Sequence, residues 1–160
     1  MLLRLLAVGR ELKRDPLEEL ARDYIQRAGG ISGPLGLKGP EIRMIPPGKG
    51  SDPQGEAERL RGVIKGAAVL LDERGTMMSS DEIAQHIARL RDQGVSELTF
   101  CIGGADGFDP HFREEVQASG GKLLAFGKTV WPHALCRVML AEQLYRALAI
   151  LSGHPYHRGV

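Results

Sequence analysis

Three short stretches of the chain carry residue types that could do chemistry. Gly103-Gly104-Ala105-Asp106-Gly107 could bring backbone close to a ligand, because glycine tolerates both the approach and the conformations that a Cβ resists. Gly127-Lys128-Thr129, leading into Val130-Trp131-Pro132-His133, has the residues of a phosphate loop followed by what could be a helix. The terminal His154-Pro155-Tyr156-His157-Arg158 gathers imidazole, phenol and guanidinium groups, which hold anions by charge-assisted bonds and bases by stacking. Each stretch also has a plainer reading, as a tight turn, a polar loop and a frayed end.

Spacing removes part of this chemistry. A phosphate loop follows the pattern G-x-x-x-x-G-K-S/T, and from Gly121 to Gly127 there is one residue too many. The residues between, Leu123-Leu124-Ala125-Phe126 among them, read as a buried strand, so the glycines flank a strand where they should follow one. The other glycine cluster reads GGxxG and not GxGxxG, with no acidic residue placed for a ribose, which weakens a nicotinamide-binding reading. His154 and His157 lack a third ligand nearby, so no metal is expected. Cys101 and Cys136 both lie in apolar segments and read as reduced core thiols of a cytoplasmic protein.

Apolar runs at 2–8, 41–45, 67–71, 98–102 and 122–126 read as strands. Between them, 15–27, 52–64, 80–93, 109–117 and 132–151 read as helices, with Asp15 and Ser80 as caps, Gly94 as a stop and Pro132 opening the last. Residues 29–40 read as a glycine-rich loop. Strands apolar on both faces and separated by helices predict an α/β fold, a parallel sheet covered on both faces, as one domain over 1–160. In such a sheet ligands gather beyond the carboxyl ends of the strands, where LLDERG, CIGGADGF and FGKTVWPH fall.

The last helix is apolar nearly all round, which predicts burial on several sides and a homodimer with this helix in the interface. Glu142 and Arg146 stand one turn apart and could pair, and His133 and Arg137 are expected to point together toward the glycine loops. The apolar start is short and interrupted by Arg4, which reads as a first strand and predicts no membrane span. A formal charge of +1 argues against a general polyanion binder, while leaving room for RNA recognition by a local basic patch or a dimer groove.

Taken in order, LLAVG, IPPGK, VLLDERG, FCIGGADGF, TVWPHALCRVMLAEQLYRA and the terminal HPYHR resemble the RlmH family, small methyltransferases of the SPOUT class, over residues 1 to about 158. The resemblance implies a C-terminal trefoil knot, a homodimer, S-adenosylmethionine as methyl donor, and transfer to nitrogen-3 of a pseudouridine in 23S rRNA on the assembled ribosome. Carried onto this chain, the donor site comprises Leu71, Gly103, Gly104, Gly127, Lys128, Thr129, Val130, Trp131 and Pro132, held largely through main-chain groups. A side chain at Gly104 is expected to intrude where the backbone meets the donor. His133, Arg137, Tyr156 and His157 are candidates for holding the target nucleotide, His154 and Arg158 for contacting RNA, and Asp106 and Glu142 stand second in line; none is an assured base. Two alternatives stay open: a dimeric RNA- or ribosome-binding scaffold without catalysis, and a SPOUT methyltransferase acting on tRNA.

Overall fold

The computed structural model describes residues 1–11 and 13–158. Strand β1 (Leu2–Val8) lies between β2 (Lys38–Ile45) and β4 (Glu97–Ile102), and β3 (Ala67–Met77) lies between β4 and β5 (Lys122–Ala125), all parallel, in the order β2-β1-β4-β3-β5. Alternate residues of each strand feed two cores, as the period of a strand requires. Leu3, Leu5, Val69, Leu98 and Phe100 pack toward helices α1 (Pro16–Ser32), α3 (Ser80–Asp92) and α5 (His133–Ser152). Leu6, Val8, Leu70 and Cys101 pack toward α2 (Pro53–Val63) and α4 (Pro110–Ala118). Burial on both faces is why the central strands can be apolar throughout.

Helix α5 lies between α1, α3 and the sheet, burying Leu140, Ala141, Leu144, Ala147 and Leu148. That three-sided burial accounts for its nearly uniform apolar sequence. Tertiary packing also moves several boundaries. α1 does not stop at Arg27 but continues through Gly29 and Gly30, because Ala28 and Ser32 are both buried and the Ser32 hydroxyl donates to Gly29 O at 3.0 Å. A 3-10 turn, Gly33–Leu35, follows, and β2 begins at Lys38 instead of residue 41. The cap of α3 is Ser79, not Ser80: its hydroxyl accepts from Glu82 N at 3.2 Å while the Glu82 carboxylate accepts from Ser79 N at 2.6 Å. Ser80 donates to Gln143 Oε1 at 2.7 Å instead, tying α3 to α5. Pro132 is the residue before α5 and not its first, with its carbonyl accepting from Cys136 N at 3.0 Å.

Within α3, His86 is buried, and Arg89 Nη2 lies 2.7 Å from its Nδ1. Burial first, then the charges of Arg89 and Lys122, push its imidazole down from 6.5 to about 4. The unfolded chain therefore takes up a proton near pH 6.5 that the folded one refuses until about pH 4, so stability is lost as pH falls across that window. The midpoint of urea unfolding should drop between about pH 7.5 and about pH 5 by clearly more in the wild type than in His86→Gln, which keeps a polar group but cannot titrate. Equal drops would show that His86 is not the group responsible.

Candidate functional site

A cleft of about 350 Å³ opens at the carboxyl ends of β3, β4 and β5. Its level is set by sheet register: Leu71 of β3 pairs with Ile102 at the end of β4 and with Leu124 near the end of β5, so the chain leaves regular pairing at one height on all three strands.

From β3 come Leu71, Asp72, Glu73 and Arg74. The expectation that this strand ends at Leu71 is corrected here, since it continues to Met77. Leu71 and Thr76 both oppose Leu124, so residues 72–75 arch out of the ladder and toward the cleft. Gly75 makes the arch possible, because a Cβ there would lie 2.5 Å from the carbonyl carbon of Leu123.

From β4 come Gly103 to Phe108, closed by Gly107 N donating to Gly104 O at 3.0 Å, with Gly107 at φ 74. Arg113 of α4 fixes this turn. Its Nη1 donates to Phe108 O at 2.7 Å and lies 3.4 Å from Asp72 Oδ2, so one guanidinium ties the β4 turn to the β3 arch. Asp72 also accepts from Arg74 N at 2.9 Å. Gly104 lines the cleft, but a side chain there would not intrude into it as expected: a Cβ would sit 2.5 Å from Glu56 Oε1. Glu56, buried on α2, stands behind the turn and not in the cleft.

From β5 come Phe126, Gly127, Thr129, Val130 and Trp131, then His133 and Cys136 of α5. The Trp131 indole donates back to Phe126 O at 3.2 Å and pins the loop on itself. Gly127 has φ 99, a conformation in which a Cβ is strained. Burial raises the thiol pKa of Cys136, leaving it a neutral wall group.

The cleft thus gathers Leu71, Gly103, Gly104, Gly127, Thr129, Val130, Trp131 and His133. Lys128 and Pro132 do not line it, and both are exposed. Arg137 does not point toward the loops as expected. It is 6% exposed and turned toward α1, with Nη2 3.2 Å from Glu18 Oε2 and Nη1 3.7 Å from Met44 Sδ. A buried guanidinium needs a carboxylate, and Glu18 supplies it.

The terminal segment is not on this chain's own cleft either. It folds back as a strap across α5. The Tyr156 ring packs at a tilt 4.4 Å from the Tyr145 ring, its hydroxyl donates to Glu142 Oε1 at 2.9 Å, and Arg146 lies 4.9 Å over the ring. Burial, then hydrogen bonding to Tyr24 and Glu142, raises the Tyr156 phenol and keeps it protonated. His157 Nδ1 is 3.4 Å from Arg146 Nη1, and its Nε2 is 3.8 Å from Asp81. His154 lies 6.2 Å from the Tyr145 ring, and Arg158 is exposed. Glu142 and Arg146 pair at 2.6 Å, so the Glu142 oxygen that holds Tyr156 is already engaged. Beside the strap a second, apolar groove is lined by Leu20, Tyr24, Met78, Val138 and Met139, and shares Phe126 with the first.

Sequence reasoning missed Asp72, Arg113, Glu56 and Phe126. The acidic step in LLDERG was a signal for Asp72, whereas Arg113 and Glu56 act across elements and leave no local trace. Among the described residues no group of three or more His, Cys, Asp or Glu is placed to hold a metal ion, and no helix is long and apolar enough to cross a membrane.

A parallel α/β sheet whose strand-end loops converge on one cleft is an architecture for a nucleotide-like ligand, and comparison with known proteins specifies it. Residues 1–157 match the family described as predicted SPOUT methyltransferase. The chain belongs to the SPOUT methyltransferase family. It is 46% identical over 159 residues to a protein of Hyphomonas neptunium and 49% identical over 163 residues to one of Phenylobacterium zucineum, covering 99% of both chains in each case. It is 47% identical over 156 residues to one of Dinoroseobacter shibae, covering 96% of this chain and 97% of that one. All three relatives carry the name ribosomal RNA large subunit methyltransferase H.

The Gly104–Glu56 contact is testable without any ligand. Gly104→Ala should destabilise the fold by about 1–3 kcal/mol in urea titrations, as overpacking does. Adding Glu56→Ala should recover part of that loss, because the double variant removes the group the methyl meets. Strict additivity would contradict the contact.

Proposed function

We propose that this chain transfers the methyl group of S-adenosylmethionine to nitrogen-3 of a pseudouridine in 23S rRNA, acting as a homodimer on the assembled ribosome in the cytoplasm. The observation that carries the reading is the convergence of the three strand-end loops on one cleft in a chain of the SPOUT family. The names of its relatives support the rRNA substrate. The trefoil knot expected from the resemblance belongs to this proposal.

The residues present suit the donor. Leu71, Ile102, Leu124, Phe126 and Trp131 give apolar walls for an adenine, the glycine turns leave main-chain groups accessible, and Asp106 puts a carboxylate beside a cationic ligand. About 350 Å³ is room for a ligand of this size. When bound, S-adenosylmethionine supplies an already activated methyl group. The protein's task is then alignment: the Gly103–Gly104 turn and the 127–131 loop fix the donor's orientation, and the walls exclude water. His133 at the start of α5 and Asp106 both line the cleft, where the target imide would lose its proton.

Exposed apolar residues support the dimer. Val130 is 82% exposed and Met77 64%, Leu20 and Trp131 are also exposed, and the apolar groove along Val138 and Met139 continues the patch onto α5. In that arrangement the strap of one protomer would meet the cleft of its partner, bringing Tyr156, His157, His154 and Arg158 to the target nucleotide. Arg137, tied to Glu18, would hold the start of α5 in place and not touch RNA.

Calorimetry should find S-adenosylmethionine binding at one site per chain, and mass spectrometry of 23S rRNA should find the added methyl group; absence of donor binding would overturn the enzyme reading. Removing residues 154–160 should leave donor binding and dimerisation intact and lower transfer to ribosomes by roughly tenfold or more. Undiminished transfer would mean that the strap takes no part.

A further inference from the structure

The cleft occupies one end of the sheet's carboxyl edge, and the other end is basic. Strands β1 and β2 finish side by side there. Val8 pairs with Ile45, and Gly9 N donates to Ile45 O at 2.8 Å, so the loops that leave the two strands emerge together. These loops and the end of β2 expose Arg10, Lys13, Arg14, Arg43 and Lys49. None of the five has an acidic partner at ion-pair distance among the described residues, and the acids near them are already engaged. Glu11 holds Arg22 at 2.7 Å, Asp15 accepts from Leu17 N at 2.8 Å as the cap of α1, and Asp52 accepts from Gly55 N at 3.0 Å as the cap of α2. Beneath the second loop, Arg59 reaches Asp52 only at 3.8 Å, with Nε and Nη2 buried and without a hydrogen-bond partner. A net charge of +1 thus hides an uneven distribution. Over residues 9–15 and 43–52 five cations stand against three carboxylates, Glu11, Asp15 and Asp52, so the segments carry a net positive charge.

Buried Arg137 links the base of the patch to the helix that borders the cleft. Arg137 Nη1 lies 3.7 Å from Met44 of β2 and 3.7 Å from where a Cβ of Gly9 would be, and His133, one turn earlier on the same helix, lines the cleft.

We propose that the face formed by residues 9–11, 13, 14 and 43–50 grips the phosphate backbone of the RNA substrate and holds it beside the cleft. This rests on the rRNA methyltransferase reading and deepens it, by assigning the positioning contacts to one named surface. Exposed, unpaired cations contribute affinity through release of counterions and carry no base information, so this face would set how tightly RNA is held and not which base is chosen.

The test uses two triple variants of equal charge change in the full-length protein. Arg10→Ala/Lys13→Ala/Lys49→Ala removes the patch, while Lys38→Ala/Lys65→Ala/Lys122→Ala removes cations from the opposite, amino edge of the sheet, where β2, β3 and β5 begin. With large ribosomal subunits as substrate, the first variant should raise KM for methyl transfer about tenfold or more and reduce the slope of log K against log salt by about two to three, the loss of three phosphate contacts. Its kcat and its calorimetric affinity for S-adenosylmethionine should be unchanged, and the second variant should behave as wild type. Equal KM and equal salt slopes in the two variants, with wild-type transfer intact, would overturn the patch and leave the enzyme reading standing. A wild type that binds the donor but methylates no large-subunit RNA would remove the reading and the patch with it.

Discussion

The site depends on a matter of register. Because Leu71 pairs at once with Ile102 and with Leu124, β3 leaves regular pairing at the level where β4 and β5 finish, so its arch and the two loops that follow those strands open onto a common space. A slip of one residue in either ladder would turn every side chain of that strand to the opposite face, exchanging the residues that feed the two cores. Register is therefore held by burial of Leu70, Phe100 and Leu124, each 1% exposed or less, far more firmly than any loop could hold it. The cleft inherits its geometry from the core beneath it.

Buried charge then orients what register has placed. Arg113 joins the β3 arch to the β4 turn through Asp72 and Phe108 O, and Arg137 joins the start of α5 to α1 through Glu18. Pairs of this kind add little net stability, since desolvation offsets most of the attraction, but removing one partner leaves an uncompensated charge. Their contribution here is directional: each fixes an element that borders the cleft. On the other side of α5, Glu142 plays a comparable part, gathering Arg146 and Tyr156 so that the terminal strap lies against the helix and does not fray.

Much of the fold was legible because its signals are local. The apolar runs at 2–8 and 98–102 correspond closely to β1 and β4, and the Asp15-Pro16 start of α1 is as the capping rules require, with Asp15 Oδ1 accepting from Leu17 N at 2.8 Å. The glycines of the β4 and β5 loops were readable as ligand-facing turns, and Gly103, Gly104 and Gly127 do lie on the cleft. What escaped involves partners distant in sequence. Gly29 and Gly30 look like loop residues, and only packing of α1 against α5 and β2 keeps them helical. The arch at 72–75 exists because β5 pairs with β3 on both sides of it. Arg137 looked free to bind phosphate until Glu18, more than a hundred positions away, proved to hold it.

The central claim is that these strand-end turns embrace a sulfonium nucleoside through their main chain. Amide hydrogen exchange with and without S-adenosylmethionine tests it most directly. The account predicts slowed exchange at Gly103, Gly104 and residues 127–131, with little change in the loops after β1 and β2. Saturating donor that leaves those amides exchanging as before, or protects a different edge of the sheet, would contradict it.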